Sequence, residues 1–276
     1  MSLGLYLHIP YCFSKCRYCD FYSAPGQRGV PTQYVDALLR ELARFAPEAP
    51  LHPDTIYFGG GTPSLLSPAD AARLIAAAAP APGAEITLEA NPETVTEQTL
   101  CGFREAGVNR ISFRGTVGPG QPAENAGPPP HRPAGPSSFC GGTAGRLYQY
   151  QRRHHAGPAP LYAGRIRRDT GAHCGGRGNA HLRLPLKIEP DSAFGRHPPE
   201  GLPSPDEAAD FYLYAVEHLE HHGYRQYEIS NFAKPGYEAG TTSSTGTVGI
   251  TSALARRRTP AWAADDSIIP PTPRPS

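Results

Sequence analysis

The sequence predicts an α/β fold built on a parallel sheet. Four short apolar runs alternate with three helical patterns between residues 3 and 113. Several of the helical stretches carry recognisable start or stop residues. The first three runs lead straight into chemistry-bearing segments, namely clustered cysteines, successive glycines and a Glu-Ala-Asn-Pro turn.

The first strand is expected at residues 5–9, ended by Pro10. A helix over 32–46 follows from Tyr34, Val35, Leu38, Leu39, Leu42 and Phe45 at helical spacing, with Arg40, Glu41 and Arg44 opposite. Residues 55–58 form the second strand and run into Gly59, Gly60, Gly61, Thr62 and Pro63. Glycines at that place admit a close ligand approach, and their N–H groups can hold a polar or anionic group; a plain tight turn is the bland alternative. Ser67 as N-cap, Pro68 at N1 and Asp70 at N3 open a helix running to about Ala79. Residues 85–90 make the third strand, with Glu89 near its C-terminal end. Thr94 to Glu97 reads as a capping box for a helix that Gly107 closes, and residues 108–113 make the fourth strand. Further on, Ser204 to Glu207 is another capping box, and a helical stripe from Ala208 to Leu219 ends at Gly223.

Cys12, Cys16 and Cys19 stand at C-x3-C-x2-C spacing directly after the first strand. One loop can therefore aim three thiolates at a common centre, and such soft ligands select zinc or an iron–sulfur cluster. A structural zinc needs four ligands, and His8 or Asp20 could supply the fourth. A cubane held by three cysteines keeps one iron open to a small chelating molecule.

This spacing resembles the signature of the radical S-adenosylmethionine (SAM) enzymes. The flanks, Tyr6 to Cys12 and Cys19 to Tyr22, resemble the subfamily of oxygen-independent coproporphyrinogen III oxidases and HemW-type heme chaperones. The true oxidases carry a further cysteine where this chain has Phe21, so the HemW-type pattern fits better. The resemblance implies a partial (β/α) barrel and a [4Fe–4S] cluster on Cys12, Cys16 and Cys19. It also implies SAM chelated at the open iron and split by one electron into a 5′-deoxyadenosyl radical. It places Tyr6, Tyr18, Gly60, Gly61, Thr62 and Glu89 at SAM, with heme or a porphyrinogen as the other ligand and a reductant protein as partner. No residue is assignable as a heme ligand, and no side chain beyond these is assigned a catalytic role. As an enzyme, the chain would be an oxidoreductase converting propionates to vinyl groups; as a zinc-stapled protein, it would have no catalytic role.

From Arg114 the hydrophobic pattern collapses, and it collapses again after Glu238. Between residues 114 and 180 the Leu, Ile, Val, Phe and Met residues reduce to Val117, Phe139, Leu147, Leu161 and Ile166. Such sequence buries too little apolar surface to offset chain entropy. The expected organisation is a radical SAM core at 1–113, a low-order segment at 114–184, a remnant of the later core at 185–238 and a disordered tail at 239–276. The fold expected is thus an incomplete partial barrel, with a bare parallel edge after Ile111. The genetic code offers a reason. Codons permitted for Ala239 to Gly246, read with one base restored in front, encode Cys-Arg-His-Asn-Leu-Lys-Tyr-Trp, which resembles a His-Asn-x-x-Tyr-Trp motif of the family. Codons permitted for residues 146–155 encode a buried-strand sequence in a shifted frame. Both stretches are read as translated out of frame, which would leave the pocket incomplete and the chain as written inactive; a disordered Arg/His-rich insert is the alternative.

Composition narrows the partners. A formal net charge of +1 argues against a general nucleic-acid or membrane-surface role. No apolar run has the length of a membrane span. Clustered cysteines that must stay reduced favour the cytoplasm, and Cys101, Cys140 and Cys174 read as isolated thiols.

Overall fold

β1 (Leu3–Ile9), β2 (Thr55–Gly60), β3 (Glu85–Ala90) and β4 (Arg110–Val117) pair in parallel in sequence order. The intervening α1 (Thr32–Phe45), α2 (Pro68–Ala78) and α3 (Glu97–Glu105) return the chain each time. The computed structural model describes residues 3–45, 52–117, 148–154, 180–182, 188–198, 202–241 and 250–254.

Alternation along the strands gives the sheet two different faces. Leu5, Leu7, Ile9, Ile56, Phe58, Ile86, Leu88, Ile111 and Phe113 join Val35, Leu38, Leu42, Leu74 and Phe103 of the helices in one core. Burying a Leu, Ile or Phe side chain there contributes about 1.5–3 kcal/mol. The neighbouring strand positions on the other face carry Tyr6, His8, Tyr57, Thr87, Glu89 and Ser112.

α2 starts as expected: Ser67 Oγ accepts the Asp70 N–H at 3.0 Å, and Ala79, at φ +46°, ends the helix in the left-handed region. α3 starts two residues later than the sequence suggested. Asn91 Oδ1 caps a 3-10 turn at Pro92–Thr94, so the N-cap of α3 falls to Thr96, which exchanges bonds with Thr99. The later segment holds α4 (Ala193–Arg196) and α5 (Pro205–His221), the latter opened by the expected Ser204–Glu207 capping box.

Three strands fall inside the stretches read as low-order. β5 (Tyr148–His154) pairs parallel with β4, so the edge expected to be bare after Ile111 is covered. Backbone groups supply that pairing whatever the side chains, and a polar run is tolerable on an outer strand. β6 (Ala180–Leu182) joins β7 (Arg225–Glu228) and β8 (Asn231–Ala233) in an antiparallel sheet of order β6-β8-β7. β9 (Ile250–Leu254) pairs parallel with β1, completing the larger sheet in the order β5-β4-β3-β2-β1-β9. Beyond residues 114–117 at the end of β4 and residues 239–241, the rest of 114–184 and 239–276 lies outside the described residues. Cys101, read as an isolated thiol, is disulfide-bonded, with its partner outside the described residues.

The N-terminal ends of the strands are closed by an ion pair. Arg110 Nη1 lies 2.8 Å from Glu85 Oε2, with the arginine side chain 6% exposed. The contact is Coulombic, because Nη1 is close but not aligned for a hydrogen bond. Glu85 also accepts the backbone N–H groups of Gly240 at 3.1 Å and Thr241 at 3.4 Å. The start of the expected tail is therefore docked, and Ala239 is buried.

Candidate functional site

The opposite, C-terminal ends of β1, β2 and β3 carry the sequence-selected residues, the end where barrel-like α/β folds build their sites. Pro10 ends β1 and the chain turns into the cysteine loop. Its first half is tied down by Cys12 N–H to Ala24 O at 3.0 Å, Gln27 N–H to Cys12 O at 3.1 Å and Ala24 N–H to Pro10 O at 2.6 Å. Cys19 N–H donates to Cys16 O at 3.1 Å, turning the second half. Cys12 is buried, Cys19 half-buried and Cys16 exposed. Burial pushes the Cys19 thiol up, and nearby Cys16 and Cys12 add to this against a Phe21 backbone hydrogen bond and the charge of Lys15. The three sulfurs thus share one electrostatic neighbourhood.

The glycine segment lies against this loop. A Cβ on Gly61 would stand 2.7 Å from Tyr11 O and 2.9 Å from Cys12 Sγ, so only glycine leaves room beside that sulfur. The sequence reading offered the N–H groups here to a ligand, but two are used within the protein. Gly61 N–H donates to Ile9 O at 2.8 Å and Thr62 N–H to Tyr11 O at 2.7 Å. Those bonds weld the loop to the end of β2. Gly60 has φ +112°, and a Cβ there would strike the His8 ring at 2.7 Å.

A polar relay runs from the cysteine loop across the inner face. His8 Nε2 lies 3.1 Å from Tyr22 O; a carbonyl only accepts, so this nitrogen carries the proton. His8 Nδ1 is then the acceptor for the Tyr6 hydroxyl at 3.2 Å. Both ring nitrogens are engaged, so His8 is not poised as a fourth zinc ligand; Asp20 is exposed on the loop. The Tyr6 ring stacks on Tyr57 at 6.0 Å between centroids and 16° between planes. Gly59 makes room for that ring, since a Cβ would meet Tyr6 Cε2 at 2.6 Å. The Tyr57 hydroxyl donates to Glu89 Oε1 at 2.8 Å and holds a carboxylate that is 5% exposed. Tyr18 sits half-buried on the loop between the last two cysteines.

Sequence reasoning missed Tyr57 and Ser112. Ser112 faces Glu89 in register and is 1% exposed, and its Oγ has no hydrogen-bond partner among the described residues. The alternation of β4 could have indicated it. An orphaned buried hydroxyl beside a held carboxylate suits a polar ligand on this face, and the absence of a side chain at Gly61 leaves space beside the buried Cys12 sulfur. Among the described residues no three of His, Cys, Asp or Glu gather as a single ion requires. A cubane asks something different: one thiolate for each of three irons.

The sequence model of the Radical SAM superfamily matches residues 6–114. The heme chaperone HemW of Escherichia coli (strain K12) is 36% identical over 247 residues, covering 86% of this chain and 64% of that protein. The anaerobilin synthase of Escherichia coli O157:H7 is 38% identical over 118 residues, covering 40% of this chain and 26% of that protein. Among solved structures, coproporphyrinogen III oxidase (HemN) from Escherichia coli, described as a radical SAM enzyme, superposes with a TM-score of 0.66 over 89% of this chain and 58% of its own. At 22% identity that likeness concerns the fold alone. Residues 6–114 belong to the radical SAM superfamily. Most of the chain is similar to heme chaperones of HemW type, and it spans 64% of the length of the Escherichia coli K12 relative it matches. No helix among the described residues is long and apolar enough to cross a membrane.

Proposed function

We propose that the chain holds a [4Fe–4S] cluster through Cys12, Cys16 and Cys19, binds SAM beside it and handles heme as a chaperone of HemW type. The observation that carries this is the meeting of the cysteine loop, the glycine segment and a Tyr57-held Glu89 at one end of the sheet. When bound, these groups supply one-electron chemistry at the SAM sulfonium. The chain's own part is to orient. Tyr6 and Tyr57 offer a stacked aromatic wall, Glu89 and Ser112 face a cationic or hydroxylated portion of the ligand, and the welded glycine segment fixes the distance to Cys12. Gly60, Thr62 and Tyr18 are the further residues this reading assigns to SAM. A reductant protein would deliver the electron, and the reading places the protein in the cytoplasm.

Anaerobically reconstituted protein should bind heme, seen as a Soret shift on titration, and release no carbon dioxide from coproporphyrinogen III. Decarboxylation with turnover would make it an oxidase, the reading that Phe21 disfavours. Stoichiometric zinc without iron or sulfide would end both.

The frame reading belongs to the same proposal, together with the division at 113, 184 and 238. β5 supports it, because the fifth parallel position falls within residues 146–155, where permitted codons can encode a buried strand in the shifted frame. Sequencing the locus should show codons for 114–184 that read, one base over, as an apolar strand–helix series. Codons without such a series would leave a genuine insert.

A further inference from the structure

The second half of the cysteine loop is gripped by a segment far away in sequence. Phe194 N–H, in the first turn of α4, donates to Arg17 O at 2.8 Å. Arg17 lies between Cys16 and Cys19, and its guanidinium sits over the Phe194 ring at 5.3 Å from the centroid. Phe194 itself is 6% exposed. The gripping segment is built to be stiff. Ser192 caps α4 by accepting the Gly195 N–H at 3.0 Å, and its hydroxyl donates to Glu189 O at 2.8 Å. Gly195 is packed so closely that a Cβ would fall 2.2 Å from Glu189 O and 2.4 Å from Pro190 O. The first half of the loop has its own anchors at residues 24–27 and 61–62. The Cys16–Cys19 half reaches out to α4.

We infer that Phe194 is a positioning residue for the metal-binding loop, and that residues 189–197 form a clasp fixing the Cys16–Cys19 turn in its ligating shape. The inference rests on the cluster reading above for its purpose, but not for its geometry. A loop that presents thiols to a cluster loses less freedom on binding if it is already ordered. The clasp supplies that order from a segment far along the chain.

The test uses the full chain with Phe194→Ala, which deletes the ring, and Phe194→Tyr, which keeps a face for the guanidinium. In metal-free protein, hydrogen exchange at the Cys19 amide should be roughly tenfold faster in the Ala variant and near the parent rate in the Tyr variant. After anaerobic reconstitution, the Ala variant should lose its cluster absorption to an iron chelator several-fold faster than the parent, with far-UV dichroism unchanged and Tyr restoring the rate. Equal Cys19 exchange in parent and Ala variant would overturn the clasp. So would faster exchange spread evenly over β1 to β4, because that reports general loosening. If the parent itself takes up no cluster, the function proposed above fails, while the exchange comparison still decides the clasp.

Discussion

Cys12→Ser, Cys16→Ser and Cys19→Ser proteins, each reconstituted without oxygen, should retain almost no [4Fe–4S] cluster, whereas the parent chain should bind about four irons and four sulfides. Three cysteines leave no spare ligand, so one replacement frees an iron that must keep a protein donor. The expected loss is total, read as iron and sulfide per chain and as the visible charge-transfer absorption. The positions differ in what else they should change. Cys12 is buried against the Gly61 cradle, so a serine there leaves a polar hydroxyl where a sulfur packed. Cys16 is exposed, so its variant should melt like the parent protein without metal. Full iron retention in any one of the three would remove that cysteine from the ligand set. Tight zinc binding by the parent, abolished by the same changes, would move the site to a different chemistry.

Glu85→Ala should destabilise the fold by about 3–5 kcal/mol, because it leaves the Arg110 guanidinium buried without its counter-charge. The loss also removes the carboxylate that accepts the Gly240 and Thr241 N–H groups. Glu85→Gln keeps the acceptor and should cost less. Urea unfolding of both variants measures the difference. The pair lies at the N-terminal ends of the strands, away from the cysteines, so reconstituted Glu85→Gln should hold its cluster. An Ala variant as stable as the parent would mean that the guanidinium reaches solvent.

The first four strands and their helices were legible from their periodicity, and several were announced a second time by their punctuation. Ser67 and Ser204 cap helices where expected, and Pro10 ends β1. α3 was misplaced because Thr94 and Thr96 are both plausible caps, and only the Asn91 turn decides between them. The cysteines and glycines were legible as a spacing, but the use of the Gly61 and Thr62 N–H groups within the protein was not. That outcome depends on the loop folding back over β2. Tyr57 and Phe194 were invisible for a related reason. A tyrosine in a strand and a phenylalanine in a short helix look like core, and their partners, Glu89 and Arg17, stand 32 and 177 residues away. β5 and β9 were not expected, since their sequences carry little apolar pattern.

The alternation of β1 to β4 means that scaffold and site are spelled in interleaved letters of the same four words. Leu7 and Phe58 belong to one message, and His8 and Tyr57 to the other. Sliding any of these strands by one residue would swap the messages, sending Glu89 among the helices and Leu88 toward the ligand. A lineage can therefore rewrite what this face binds one letter at a time, yet it cannot insert or delete a letter there without losing both.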